Sequence, residues 1–550
     1  MKDYESDRRA ASQTILLVAA IGTLLTNWST ATSRNALAAE RPNILIAISD
    51  DQSYPHASAY GHPVIQTPAF DEVARRGILF HRAFTPAPGC SPMRAAFLTG
   101  RYIWEIREAG THASSFPRDL PVFPDRLEEA GYAIGYTGKP WGPGNYRVSG
   151  WDRNPAGPAF NERKTSSPTG ISSTDYAANF EAFLNTKAED QPFCFWFGGH
   201  EPHRAFGKGL GANSGMNVDE VEVPGFLPDV PQVRHDLLDY FFEIQWFDHH
   251  LQRMLRTLEQ RGLLDNTLVI VTSDNGMSFP RAKANLYEYG IHMPLAIAWP
   301  ARFTGGRESY ELVNLIDVTA TIYEAAGVTP PKLSGHSLFD ILDGHPRIRR
   351  DAVFSGRERH SSSRWNTLGY PCRCVRTEDY LYIRNFTPER WPAGAPQKYE
   401  KVSYDAEGNV VEGQLGPPHG AYHDIDACPT LDYMVEHREN LTIGPLLQLA
   451  VSYRPAEELY HVSSDPDCLT NLANDPAQQR ALAHHRRLLV QRLTADGDLR
   501  QTDFAASHVW ETYPRYSPLR WFPRPPWAEG MSIPEQPWLE QRRPRATAAE

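Results

Sequence analysis

The stretch that decides the fold is NILIAISDD, residues 43–51. Its first seven residues are uncharged and mostly apolar, as is typical of a strand buried on both faces of a parallel sheet. The strand is followed at once by Asp50 and Asp51. Because open α/β sheets bind ligands at the carboxyl ends of their strands, this pair is a candidate binding group, although solvated turns also collect acidic residues.

Two further apolar runs, FCFWF at residues 193–197 and LVIVTS at residues 268–273, are predicted to be buried strands. A long helix is predicted over about residues 235–260, between these two runs. The second run leads directly into Asp274 and Asn275. This alternation predicts an α/β fold with a large, doubly wound, mostly parallel sheet flanked by helices.

The character of the chain changes near residue 350, where short strand-like pieces lie among polar, proline-rich turns. We predict a catalytic domain over residues 39–350, a smaller C-terminal α+β domain with an antiparallel sheet over 351–510, and a proline-rich tail over 511–550. Residues 1–38 have a basic edge, a short apolar core and the small-residue sequence Ala36-Leu37-Ala38, an order typical of a secretory signal peptide. We therefore expect export to a periplasmic, secreted, lysosomal or extracellular location, with an uncleaved anchor as the less favoured alternative.

Composition narrows the possible partners. The 550 residues carry a formal charge of −11 with no long basic run, so the sequence does not predict a nucleic-acid partner. The apolar run near the N-terminus is too short and too interrupted to predict a stable membrane span. Six cysteines are too few for a disulfide scaffold. The sequence leaves undecided whether one or two disulfides form among Cys372, Cys374, Cys428 and Cys468.

The segment CSPMRAAFLTGR, residues 90–101, is predicted to enter a helix. Pro92 has the backbone angle of a first helical turn, and Gly100 can close the helix in a left-handed conformation. Cys90 would then lie at a helix N-terminus, where free N–H groups favour negative charge, with Arg94 one turn away. Alone, this pattern fits a structural cysteine as well as an activated one.

Together with TSDNG at 272–276 and LYEYG at 286–290, this segment resembles the signature of the formylglycine-dependent sulfatases of the alkaline-phosphatase-like superfamily. The resemblance covers most of the chain from residue 41 onward. The segments HEPHR at 200–204 and GYP at 369–371 make it most similar to the heparan N-sulfatase (sulfamidase) branch. The implied activity is hydrolysis of sulfate from a sulfated saccharide, with N-sulfoglucosamine as one candidate.

The resemblance also implies a role for each site residue. Cys90 would be oxidised to formylglycine by a maturation enzyme, and the hydrate would supply the nucleophilic oxygen. After transfer, its second hydroxyl could expel sulfate and regenerate the aldehyde. Hard oxygen ligands suit Ca²⁺, with Mg²⁺ less expected. The implied metal ligands are Asp50, Asp51, Asp274, Asn275 and the oxidised Cys90. The implied sulfate-binding and catalytic side chains are Arg94, Lys139, His200 and Lys283, and the implied sugar contacts are Arg359 and His360.

Three positions depart from the family pattern: Met93 replaces a common serine, Trp141 stands where G-K-x-H has histidine, and Lys283 stands where animal sulfamidases have arginine. We expect substrate choice to differ there. An O-sulfatase acting on a polysaccharide, a phosphodiesterase-like relative and an inactive glycan-binding pseudoenzyme are the alternatives. The intact Cys90 and Arg94 argue against the last of these, and the sequence leaves the oligomeric state open.

Overall fold

The computed structural model describes residues 41–404, 410–531 and 535–540. From Pro42 onward the chain forms one compact unit. The predicted signal peptide lies outside the described residues. The domain boundaries near residues 350 and 510 stay predictions.

A large central sheet confirms the predicted α/β architecture. Its strand order is β3-β4-β1-β5-β6-β2-β7, with β8 also beside β2. The first four strands in this order run parallel, while β6 runs antiparallel to both β5 and β2. The strands are β1 (Asn43–Ser49), β2 (Ile78–Phe84), β3 (Ala133–Gly138), β4 (Phe193–Gly198), β5 (Thr267–Ser273), β6 (His292–Ala298), β7 (Arg307–Ser309) and β8 (Val313–Asn314).

Helices cover this sheet on both faces, and two apolar core clusters lie between them and the sheet. The long helix begins at Pro231, earlier than predicted, because proline is favoured in a first helical turn. Within the described ranges, every helix is too short or too polar to cross a bilayer. The helices before residue 350 are α1 (Pro68–Arg76), α2 (Cys90–Thr99), α3 (Phe123–Glu129), α4 (Tyr176–Leu184), α5 (Leu210–Asn213), α6 (Pro231–Gln260), α7 (Glu288–Ile291), α8 (Leu315–Ala326) and α9 (Phe339–Leu342).

A second, antiparallel sheet with the order β14-β11-β10-β9 follows, as the sequence predicted. All six cysteines are buried and free, so the open possibility of disulfides is not realised. The strands here are β9 (Val353–Arg357), β10 (Cys372–Arg376), β11 (Tyr380–Asn385), β14 (Glu457–His461) and the separate hairpin β12 (Tyr399–Tyr404) and β13 (Val410–Leu415). The helices are α10 (Pro429–Glu436), α11 (Ile443–Val451), α12 (Gln479–Asp496), α13 (Leu499–Thr502), α14 (Val509–Thr512) and α15 (Pro537–Glu540).

Buried ion pairs connect this second sheet to the helices that follow it. Arg373 on β10 donates to Asp498 at 2.8 Å and to Glu358 at 2.7 Å. Arg500 pairs with the other oxygen of Glu358 at 2.7 Å. Because these side chains are almost fully buried, each charge depends on its partners for the hydrogen bonds that water would otherwise supply.

We expect Arg373→Met to lower the free energy of unfolding by about 3–5 kcal/mol, because it leaves Asp498 buried without its cation and Glu358 with Arg500 alone. The matched control is Arg486→Met, which removes a half-exposed pair with Glu457 and should cost about 1 kcal/mol or less. Denaturant unfolding of both variants measures the difference. Equal losses in the two variants would contradict a structural role for the buried network.

Candidate active site

The two acidic strand ends meet because β1 and β5 are adjacent. Ser49 pairs with Ser273 in register, so the residues that follow each strand are neighbours. The backbone N–H of Asp51 donates to Asp274 Oδ1 at 3.1 Å, and Asn275 Nδ2 donates to Asp51 Oδ1 at 2.7 Å. All these side chains are buried. The structure therefore brings the four predicted oxygen ligands to one edge of the sheet.

Cys90 is the first residue of α2 and points to the same place. Every residue of α2 is buried, and Gly100 closes the helix with φ of 66°, as predicted. Ligand atoms of Cys90, Asp50 and Asp274 all lie within 4.8 Å of one another. Burial alone would raise the pKa of the Cys90 thiol, but the positive charges of Lys139 and Lys283 lower it below the usual value.

Three cations neutralise the buried carboxylates. Arg94 Nε donates to Asp274 Oδ2 at 2.8 Å, and Lys139 forms an ion pair with Asp50. Lys283 Nζ donates to Asp51 Oδ2 at 2.7 Å and to Asp426 Oδ2 at 2.9 Å. The predicted cations Arg94, Lys139 and Lys283 therefore lie together around Cys90.

The donor set fits a divalent cation. Asp50 Oδ1 and Asn275 Oδ1 are buried, and neither has a hydrogen-bond partner among the described residues. Burial and the nearby charge of Asp50 raise the pKa of Asp274 to about 8, which shows how much negative charge is crowded here. A cation held by these oxygens would satisfy the two unpaired atoms and relieve the repulsion.

A cavity of about 460 Å³ opens beside this cluster, and its wall includes the polar side chains Asp50, Lys139, His200, His203, Arg204 and Glu243. His200, one of the predicted sulfate-binding and catalytic side chains, is exposed. His203 lies closer to the carboxylates, with Nε2 3.9 Å from Asp51 Oδ2. Burial lowers the pKa of His203, but the carboxylates of Asp51 and Asp50 outweigh it and raise the pKa to about 9.

Of the two predicted sugar contacts, His360 lies near the start of α2, since its Nδ1 atom is 3.1 Å from the Cβ that a side chain at Gly89 would carry. Arg359 instead donates to the backbone carbonyls of Tyr513 and Pro514 at 2.9 and 2.8 Å. Its guanidinium is thus directed to the C-terminal segment, and sugar binding by Arg359 stays a prediction.

The departures from the family pattern differ in their surroundings. Met93 and Trp141 are buried in the apolar core, and the Trp141 ring packs edge-on against Phe116 with 5.2 Å between centroids. Both side chains therefore contribute to the apolar packing of the core. Lys283, in contrast, contacts the carboxylate cluster directly.

Three polar residues of this site were not selected from the sequence: His112, His203 and Asp426. His112 Nε2 lies 3.9 Å from Cys90 Sγ, and Asp426 is the second partner of Lys283. His203 could have been selected from the sequence, because it lies in the same HEPHR segment as His200. His112 and Asp426 have no local pattern that distinguishes them from ordinary loop residues.

Comparisons with known proteins identify two matching families and several relatives. The sulfatase family matches residues 42–328, and the family described as N-sulphoglucosamine sulphohydrolase, C-terminal, matches residues 281–393. The human N-sulphoglucosamine sulphohydrolase is 30% identical over 477 residues, covering 79% of this chain and 86% of the human protein. An ulvan-active sulfatase from Formosa agariphila is 24% identical over 494 residues, covering 84% of this chain and 76% of that protein.

The fold is also shared with solved structures. One of them, a protein in complex with its substrate D-glucosamine-2-N,6-O-disulfate, superimposes with a TM-score of 0.57 at 18% sequence identity. That superposition covers 83% of this chain and 98% of the other. With the sulfatase family matching more than half of the sequence, the chain belongs to the sulfatases, hydrolases of sulfate esters and sulfamides.

Proposed function

We propose that this protein hydrolyses sulfate from a sulfated saccharide, with Cys90 oxidised to formylglycine and Ca²⁺ bound beside it. N-sulfated glucosamine is the first candidate substrate, and O-sulfated saccharides are the alternative. The observation that carries the proposal is the position of Cys90, at the buried start of α2 with ligand atoms of Asp50 and Asp274 within 4.8 Å.

The metal would be held by Asp50, Asp51, Asp274 and Asn275, and with the formylglycine hydrate it would supply an ionised nucleophile and electrostatic stabilisation. The chain's own cations have separate tasks. Arg94 Nη2 is buried without a partner among the described residues, so it is free to donate to an anionic oxygen. Lys139 and Lys283 offset the charge that builds on the sulfate oxygens.

A proton donor is needed for the leaving group, and His203 suits this task better than the predicted His200. Its ring lies in the wall of the cavity, with Nε2 3.9 Å from the carboxylate of Asp51. The saccharide substrate class is supported by the human and Formosa agariphila relatives and by the size of the cavity and the charged side chains in its wall. The predicted signal peptide would place this reaction outside the cytoplasm.

Mass spectrometry of the Cys90 peptide tests the nucleophile. After coexpression with a formylglycine-generating enzyme, we expect the thiol to be replaced by an aldehyde. Sulfate release from N-sulfated and O-sulfated glucosamine then identifies the substrate. Cys90→Ala should lose at least about 10⁴-fold in kcat/KM, because the nucleophile is absent. A persistent thiol in a protein that releases no sulfate would refute the mechanism, and turnover of O-sulfated sugars alone would support the alternative substrate.

Calorimetric titration with Ca²⁺ tests the metal site independently of activity. We expect Asp50→Asn to weaken Ca²⁺ binding by at least about tenfold, because it removes a negatively charged ligand. The control is Asp265→Asn, an exposed carboxylate that should leave binding unchanged. Ca²⁺ should also raise the melting temperature of the parent protein by more than that of Asp50→Asn. Equal affinity in the two variants would place the cation elsewhere.

The cavity wall contains a buried carboxyl group that is neutral at physiological pH. Glu243 on α6 is almost fully buried, and its Oε1 atom has no hydrogen-bond partner among the described residues. Burial, with the nearby charge of Glu201, raises the pKa of Glu243 to about 9. A neutral carboxyl here avoids repelling a sulfated substrate.

We expect Glu243→Gln to increase the free energy of unfolding by about 2–4 kcal/mol at pH 8 and by almost nothing at pH 4. The folded-state pKa is raised, so the carboxyl is neutral in both states below pH 4. Above pH 4 the Glu243 carboxyl ionises in the unfolded state but stays neutral in the folded state. The free energy of unfolding of the parent protein therefore falls as the pH rises towards 9. The exposed Glu439→Gln serves as the control. A pH-independent difference measured by denaturant unfolding would contradict the raised pKa.

A further inference from the structure

His112 lies in the segment before Phe116, and its ring faces the side chain of Cys90. His112 Nε2 lies 3.9 Å from Cys90 Sγ, the atom that an oxygen replaces when the cysteine is oxidised. The Nδ1 atom of the same ring is buried and has no hydrogen-bond partner among the described residues. Within the described part of the chain, the ring thus presents one nitrogen to Cys90 and makes no other hydrogen bond.

Several contacts hold His112 in this orientation. Its backbone N–H donates to the carbonyl of Arg359 at 3.1 Å, and its ring packs on His360 with 4.5 Å between centroids. The next residue, Ala113, donates its N–H to Ser91 Oγ at 2.9 Å, which ties the segment to the first turn of α2. Ala113 has φ of 58°, an unfavourable conformation for a residue with a Cβ atom. Such a backbone persists only where its surroundings maintain it.

The other histidine beside Cys90 is differently placed. His203 directs Nδ1 towards the carbonyl of Arg204 at 2.6 Å, and its Nε2 lies 3.9 Å from the carboxylate of Asp51. His203 also hydrogen-bonds the Cys90 side chain, so its ring is shared between Cys90 and these two oxygen atoms. Among the described residues, the polar partner of the His112 ring is Cys90, which makes His112 Nε2 the better placed acceptor.

The segment that follows β3 carries Lys139 and Trp141. It supplies no histidine to the site, because Trp141 occupies the position where the family pattern G-K-x-H has one, and its ring packs in the core. We propose that His112 is the catalytic base that accepts a proton from the oxidised Cys90 side chain during sulfate release. This inference rests on the proposed function, since it requires the formylglycine hydrate as nucleophile.

The step balances without any oxidant or reductant. The O–H bond of the hydroxyl that does not carry sulfate breaks, and its proton moves to His112 Nε2. The electron pair left on that oxygen forms the C=O bond of the aldehyde. The C–O bond to the sulfate group breaks at the same time, and its electron pair leaves with the sulfate. His112 then returns the proton to solvent, and water adds to the aldehyde again.

The test uses the matured full-length protein and the variants His112→Gln and His112→Ala. We expect kcat to fall about 10²–10⁴-fold in both variants, the range typical of losing a general base. Rapid quenching followed by mass spectrometry should find the Cys90 peptide carrying one extra SO₃ group. Added imidazole should restore turnover in His112→Ala and remove that group. The control His485→Gln changes a buried histidine on α12 and should retain parental turnover.

The outcomes separate this inference from the proposed function. If the parent protein releases sulfate and His112→Gln matches its kcat without retaining SO₃, the assignment of His112 is wrong while the proposed function stands. If His112→Ala is folded but slow, without retained SO₃ and without rescue by imidazole, His112 has only a structural role. A parent protein that keeps an unmodified Cys90 thiol and releases no sulfate overturns the proposed function, and the inference fails with it.

Discussion

The adjacency of β1 and β5 is the constraint on which the site depends. Because the two strands run parallel and in register, the acidic residues that follow each of them are brought side by side at the same sheet edge. Neither strand end alone has enough oxygen ligands for a divalent cation. The shared edge assembles Asp50, Asp51, Asp274 and Asn275 without any long-range side-chain rearrangement.

Because these acidic residues are close together and buried, their negative charge must be compensated by surrounding side chains. Three buried carboxylates and a cysteine in a small volume would repel one another strongly. Arg94, Lys139 and Lys283 each pair with a different carboxylate of the cluster. In the proposed function the same three cations would also contact the sulfate group, so that one set of side chains would serve both charge compensation and recognition of the anionic substrate.

The last part of the chain also shapes the site. The segment from Tyr513 to Tyr516 passes beside α2, where Arg515 donates to the carbonyl of His360 at 2.9 Å and Tyr516 donates to the carbonyl of Ala113 at 2.7 Å. Arg359 is bound to the same segment. These contacts fix the positions of His112 and His360 next to Cys90. The C-terminal segment is therefore part of the support for the site.

Local sequence patterns determined the buried strands, the acidic residues that follow them and the helix that begins at Cys90, because hydrophobic runs and capping residues act over a few neighbours. The family signature then indicated the metal ligands and the cations. Only the tertiary structure decided which histidines reach Cys90, since His112 and His203 are brought there from separate loops. It also decided that Trp141 and Met93 enter the core and that Arg359 binds the C-terminal segment. These outcomes depend on packing between distant parts of the chain, which no local pattern encodes.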